Sequence, residues 1–218
     1  MPESVRVYGG LCNRLRAILS RRARDGEVMV HWPVDGEIHD EHFTSAFHAI
    51  PGVTFVPEAD PSWERTLDAV HCPEWERGLL DVKLLNPSRW KSAEPYVAVH
   101  VRRTDAIGLQ KQDGTYEDDK AWLDWIERRS EKVVYLAVDN GTTQAKFAST
   151  LFAMGKRPEY YYPIDQHARE NESFVRNTTL RHAWCDIEAC VGAMAFKGCG
   201  SSSFTRTIEA LRALRGKT

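Results

Sequence analysis

Residues 96–105 read Tyr-Val-Ala-Val-His-Val-Arg-Arg-Thr-Asp, and the fold turns on how they are read. Val97, Ala98, Val99 and Val101 make a short apolar run rich in β-branched side chains. That is the pattern of a strand buried on both faces of a parallel sheet. Pro95 stands at its entrance, where a missing N–H costs least. Arg102, Arg103 and Asp105 follow as the run ends. In open α/β sheets ligands bind outside the carboxyl ends of the strands, so these charges are delivered to the expected site. A guanidinium is always protonated and its fork matches two phosphate oxygens at once. An isolated R-R-x-D more often just pairs with nearby carboxylates. His100 inside the strand, and the segments described next, favour binding.

Outward from this strand, elements alternate. Residues 5–8 predict a strand ending in Gly9-Gly10, and Leu15, Ile18 and Leu19 then repeat at helical spacing. Arg21, Arg22 and Arg24 close that helix, where cations suit its dipole. Residues 27–32 and 53–56 read as strands, and 40–50 as a short helix buried through Phe43 and Phe47. Residues 57–92 read as irregular and carry Trp63, Trp75 and Trp90, which suit either domain packing or a sugar-binding surface. In the second half, 108–117 reads as a polar loop, 119–129 as a helix and 133–138 as a buried strand ending at Asp139-Asn140-Gly141 before another helix. A strand is expected at 160–164. Asn177 is a candidate cap for a helix whose stripe is Leu180, Trp184, Ile187 and Val191. The last strand, 193–197, runs into Gly198-Cys199-Gly200-Ser201-Ser202-Ser203 and a helix to Arg215. Such alternation predicts an α/β protein of two domains, 1–90 and 91–218, each with a parallel sheet. Their boundary falls in the polar stretch between Pro87 and Pro95.

Composition narrows the classes. A net charge of −2 argues against a nucleic-acid binder working through a basic surface. No apolar run approaches a membrane span and the first residues lack a signal-peptide core, so a cytoplasmic protein is expected. Cys12, Cys72, Cys185, Cys190 and Cys199 contain no C-x-x-C pair, which fits reduced thiols. His31, His39, Asp40, Glu41, His42 and His48 could be taken for metal ligands, but a solvated polar loop is the commoner origin of such a cluster. No metal and no cofactor are expected.

Three turns fall at strand ends and helix starts: Gly9-Gly10, Arg102-Arg103 and Gly200 to Ser203. Glycines allow close backbone approach, hydroxyls donate, and a helix N-terminus adds positive potential, together a cradle for phosphate. Taken alone, the serine run is equally an ordinary N-cap. Neither a P-loop lysine nor G-x-G-x-x-G is present, which weakens the NTPase and dinucleotide readings. The chain has no D-x-D.

Together the segments G9-G-L-C-N-R14, H100-V-R-R-T-D105, and Asp186 followed by G200-S-S-S203 resemble the GDP-fucose-dependent fucosyltransferases, the superfamily of core α1,6-, nodulation and protein O-fucosyltransferases. The resemblance is strongest over 96–105 and 178–208. It implies a GT-B-like pair of Rossmann-like domains facing each other across a cleft, here with a reduced N-terminal, acceptor-side domain and a C-terminal domain for the GDP-sugar. It also implies inverting, metal-independent transfer of fucose from GDP-fucose to a carbohydrate or other hydroxyl acceptor. By the resemblance Arg102 holds the donor β-phosphate, and His100 and Asp186 bind guanosine. Ser202 and Ser203, with Ser201, contact phosphate, and Arg103 belongs to the same donor set. Gly10, Asn13 and Arg14 lie near the reacting sugar. Asp105 joins Arg102 as a catalytic candidate, placed to hold the arginines. Where the α1,6 branch has a glutamate proposed as base, this sequence has Gln110. The family's animal members start with a Golgi anchor, whereas this start implies a bacterial or viral cytosolic form. Two other functions stay open: transfer from another GDP-sugar, and a GDP-sugar or glycan-binding module without activity.

Overall fold

The computed structural model describes residues 3–34, 41–60, 62–63, 65–66, 72–87, 90–104, 106–162, 164 and 178–217. The chain divides into two compact units, Met1–Ser88 with Thr179–Ala183, and Arg89–Thr178 with Trp184–Thr218.

In the first unit β1 (Glu3–Val7), β2 (Val28–His31), β3 (Val53–Val56) and β4 (Arg65–Thr66) form a parallel sheet in the order β3-β2-β1-β4. Helix α1 (Leu11–Asp25) buries Leu15, Ile18 and Leu19, the triad its spacing predicts. It ends where Gly26, at φ 82°, sends its N–H back to the Arg22 carbonyl. The helix expected over 40–50 is only α2 (Phe43–Ala46), with Phe47 as its C-cap, but both phenylalanines are buried as expected: the Phe43 ring stacks on Phe47 at 4.6 Å and on Phe55 at 4.8 Å. The stretch read as irregular contains β4 and a 3-10 helix, Pro73–Asp81, opened by a proline at its first turn. Trp75 is buried there, and the Arg22–Asp81 ion pair at 2.8 Å ties that helix to α1.

The second unit contains β5 (Tyr96–Val101), α3 (Ile107–Gln112), α4 (Asp119–Glu127), β6 (Val133–Val138), α5 (Gly141–Ala153), β7 (Arg157–Glu159), α6 (Leu180–Gly192), β8 (Ala195–Gly198) and α7 (Ser203–Leu214). Its sheet is also parallel, in the order β7-β6-β5-β8. Each sheet thus sets its first strand between its second and its fourth, the doubly wound order of a Rossmann-like half. Strands β5 and β6 are buried along almost their whole length, as their apolar runs require. Val97, Val99, Val101, Val134, Leu136 and Val138 pack on one face with Trp122, Ile126, Phe147 and Leu151. Ala98, His100 and Tyr135 alternate with them, so their side chains leave by the other face, toward α6 and α7.

Three elements of the second unit differ from expectation. The polar stretch after the arginines is not all loop, because α3 forms there and buries Ile107 and Gln110. The strand expected at 160–164 lies instead at 157–159, an edge strand where Pro158 loses no ladder bond that matters. The last strand is 195–198 rather than 193–197. Asn177 lies outside the described residues. Among the described residues no helix is long and apolar enough to cross a membrane.

Candidate functional site

In the second unit the strand order reverses between β5 and β8, so the crevice for a ligand lies at their carboxyl ends. What the sequence puts there is Arg102 on one side and Cys199 to Ser203 on the other.

Arg102 is half-buried just beyond Val101. The turn that carries it is held by Asp139, at the end of β6. Its carboxylate accepts from Arg103 N at 3.0 Å, Thr104 N at 2.9 Å and the Thr104 hydroxyl at 2.6 Å. A half-buried carboxylate fixes backbone amides through such charge-assisted bonds. The two arginines then part ways. Arg103 is only 3% exposed, pairs with Asp119 at 2.9 Å and lies over the Tyr116 ring at 5.2 Å. Burial pushes the Asp119 carboxyl up, but hydrogen bonds from Lys146 and Arg103 outweigh it and hold Asp119 below the usual range. Arg103 is thereby built into the unit. Asp105, the other catalytic candidate, lies outside the described residues.

On the β8 side only glycine fits at two positions. A Cβ on Gly198 would stand 2.2 Å from Thr205 Cγ2, and one on Gly200 would stand 2.4 Å from Thr115 Cβ. Ser201 takes a left-handed φ of 58° and donates its hydroxyl to Asp113. Ser202 is buried and caps α7, its hydroxyl oxygen accepting from Thr205 N. The N-cap reading of the serine run is therefore right for Ser202. Ser203 is the first residue of α7, where first-turn amides have no partner within a helix.

His100 links the two sides. Its Nδ1 lies 2.9 Å from the Thr205 hydroxyl, and the Phe204 ring covers it at 4.6 Å. Burial, with the Arg102 charge nearby, pushes its pKa down to about 3, so the imidazole is neutral. On the same sheet face, one side-chain step back from the edge, Tyr135 is the register neighbour of Ala98. Its hydroxyl donates to Asp186 Oδ1 at 2.6 Å. Asp186 is half-buried on α6, and desolvation pushes its carboxyl up to about 7 against the pull of that bond. Its partner is Tyr135, not the neighbouring Arg181 or His182 that a lone helical aspartate would be expected to use. Trp90 packs beside that pair, edge-on to Tyr135 at 4.5 Å and to Tyr96 at 5.0 Å. That accounts for one of the tryptophans of residues 57–92 as packing.

The remaining candidates sit together in the first unit. Gly9 adopts φ 76°, Gly10 is the N-cap of α1 and Asn13 is half-buried on its first turn. Arg14 is fully buried, donates from Nε to the Gly9 carbonyl and from Nη1 to the Pro33 carbonyl, each at 2.7 Å, and lies over the Trp32 ring at 4.7 Å. It fixes the glycine turn rather than standing out from it. Of the histidine cluster, His42 caps α2 through Thr44 N, while His39 and Asp40 lie outside the described residues.

With these positions fixed, the chain is similar to the crystal structure of the fucosyltransferase NodZ from Bradyrhizobium. The TM-score is 0.55 over 95% of this chain and 92% of that one. The chain has a fucosyltransferase-like fold. Identity is 12%, so the likeness is one of architecture, two Rossmann-like α/β units as in GT-B enzymes. No family model matches the sequence, and no curated protein does.

The sequence reading missed Asp139 and Tyr135 as parts of the site. Asp139 ends a buried strand in a parallel sheet, and that position alone was a signal. Tyr135 had one too: a tyrosine inside an otherwise aliphatic strand needs a partner for its hydroxyl.

Proposed function

We propose that this chain is an inverting glycosyltransferase that moves fucose from GDP-fucose to a hydroxyl of a carbohydrate acceptor. The observation that carries the reading is the meeting, at the switch point of the second sheet, of Arg102 with the glycine–serine turn that starts α7. The fucosyltransferase-like fold supports it.

In the proposed reaction the acceptor oxygen attacks the anomeric carbon as the bond to GDP breaks on the opposite face, and the hydroxyl's proton is released to water. Negative charge grows on the departing diphosphate. Arg102 and the amides and hydroxyls of Ser201 to Ser203 stabilise it from preorganised positions, with no metal needed to supply positive charge. His100, held neutral by burial, and Asp186 take the guanosine. The carboxylate of Asp186 matches the N1–H and N2 amine of guanine, and Tyr135 holds it in place meanwhile. In the first unit the buried Arg14 holds the glycine turn, on which Gly10 and Asn13 are the groups proposed to meet a sugar.

Calorimetry with GDP, ADP and UDP tests the reading. GDP should bind at least tenfold more tightly than the other two; equal affinities would overturn the guanosine assignment. One observation favours a second reading, a GDP-sugar-binding module without transfer. Gln110 is 1% exposed, its Nε2 meets no hydrogen-bond partner, and an amide cannot accept the acceptor's proton. Slow release of fucose from GDP-fucose in the absence of acceptor separates the enzyme from the module.

A further inference from the structure

Residues 106–118 run from the end of β5 to the end of β8, and so strap the crevice the two strands frame. α3 begins just past the arginine turn, and its Gln110 carbonyl accepts from Thr115 N and Tyr116 N at 2.9 and 3.0 Å, which closes the strap on itself. Thr115 then packs against Gly200, and Glu117 accepts from Lys197 Nζ on β8 at 2.7 Å. Between these anchors Asp113 reaches the serine turn. One carboxylate oxygen accepts from Thr115 N at 3.0 Å and from the Thr115 hydroxyl at 2.6 Å, and the other accepts from Ser201.

A carboxylate gathering a threonine hydroxyl, a backbone amide and a serine hydroxyl uses the donors a phosphate oxygen would use. We propose that Asp113 is an internal stand-in for the donor's phosphate, a latch that occupies Ser201 and must give way when the diphosphate arrives. The inference rests on the donor site proposed above. In the unliganded protein the latch keeps the turn in its left-handed conformation and satisfies Ser201. When the diphosphate enters, two anions compete for one hydroxyl, and the donor binds only by displacing the carboxylate. Affinity for the donor is therefore set below what Arg102 and the serine turn would give alone, and the strap moves as the site fills. Its other anchors, Gln110 to Thr115 and Glu117 to Lys197, do not depend on the latch.

The experiment isolates the charge. Asp113→Asn keeps an acceptor for Thr115 N and a group for Ser201 to bond, and removes one negative charge from an exposed position. Removing a unit charge a few ångströms from a diphosphate at a solvated site corresponds to about three- to tenfold in affinity. Calorimetry is run on wild type and variant with GDP, inorganic pyrophosphate and guanosine, alongside melting temperatures. Asp113→Ser, which removes the charge while keeping a hydroxyl, is a second variant should the first melt early. The expected result is three- to tenfold tighter GDP and pyrophosphate, unchanged guanosine and an unchanged melting temperature. Equal affinities in wild type and variant, or a gain shared by guanosine, overturn the latch. If GDP binds no better than pyrophosphate but the variant still tightens both, the latch stands and the guanosine reading falls. Failure of both anions to bind either protein overturns the latch together with the anion site.

Discussion

Asp186→Asn gives the sharpest test of the buried Tyr135–Asp186 pair. In the folded protein the Asp186 carboxyl is pushed from an ordinary value near 3.8 up to about 7, burial being the cause. An acid whose folded pKa is raised favours its neutral form in the fold. The unfolded chain loses its proton at about pH 4 and the folded protein only at about pH 7. Between these values the folded state binds more protons, so stability falls as pH rises, and it levels off above about 7. One pKa unit is worth about 1.4 kcal/mol, so the pair costs on the order of 4 kcal/mol above pH 7, of which about 2–3 kcal/mol develops between pH 5 and pH 8. For a chain of this size that is a fall in melting temperature of about 5–10 °C. His100 acts in the opposite sense: its pKa is pushed down to about 3, and it costs stability as pH falls below about 6.5. The measurement is therefore the difference between wild type and Asp186→Asn, followed by thermal melting from pH 5 to pH 8. Asparagine does not titrate, so the variant should gain on wild type as pH rises, while accepting the Tyr135 hydroxyl through its amide oxygen. A difference that stays constant across that range would refute the reasoning, because Asp186 would then ionise as in water. GDP should tighten as pH rises through 7 if the ionised carboxylate receives guanine, and Asp186→Asn should abolish that dependence.

The other predictions concern the arginine turn. Arg102→Lys should fold normally yet lose about 3 kcal/mol of transition-state stabilisation, roughly a hundredfold in kcat, since an ammonium makes no bidentate fork; steady-state kinetics with GDP-fucose reads this, and near-normal turnover counts against Arg102. Asp139→Ala leaves Arg103 N and Thr104 N without their acceptor and should cost about 2–3 kcal/mol of stability as well as weaken the donor, both visible in one set of ligand-dependent melts. Turnover should survive excess EDTA; loss restored by magnesium or manganese would return attention to His31, His42 and His48.

Much of the fold was legible because the central strands of the second sheet are buried on both faces. Residues 133–138 were read to the residue, since a parallel strand between helices has no polar face to blur its ends. Residues 107–112 were not, because α3 is short, polar in sequence and buries little beyond Ile107 and Gln110. The same division runs through the site. Arg102 and the serine turn announce themselves by position along the chain. The groups that hold them do not: Asp139 meets Thr104 across 35 residues and Tyr135 meets Asp186 across 51, distances at which no local pattern carries information. Arg103 shows the cost of reading locally, for it is chemically identical to Arg102 and spent on Asp119.

The parallel pairing of β5 with β8 also bears on how the protein is made. Val97 pairs with Ala195 and His100 bonds to Thr205, 105 residues further on, whereas β5, β6 and β7 follow one another closely along the chain. During synthesis three strands of the second sheet can therefore assemble while the fourth is still to come, leaving the side of β5 that β8 will occupy as an unpaired edge. Arg102 would be in place early, facing nothing. The two strand ends that frame the candidate site come together only with the last pairing event, so a ligand that needs both has no partially folded form to bind and should favour that final closure over every earlier intermediate.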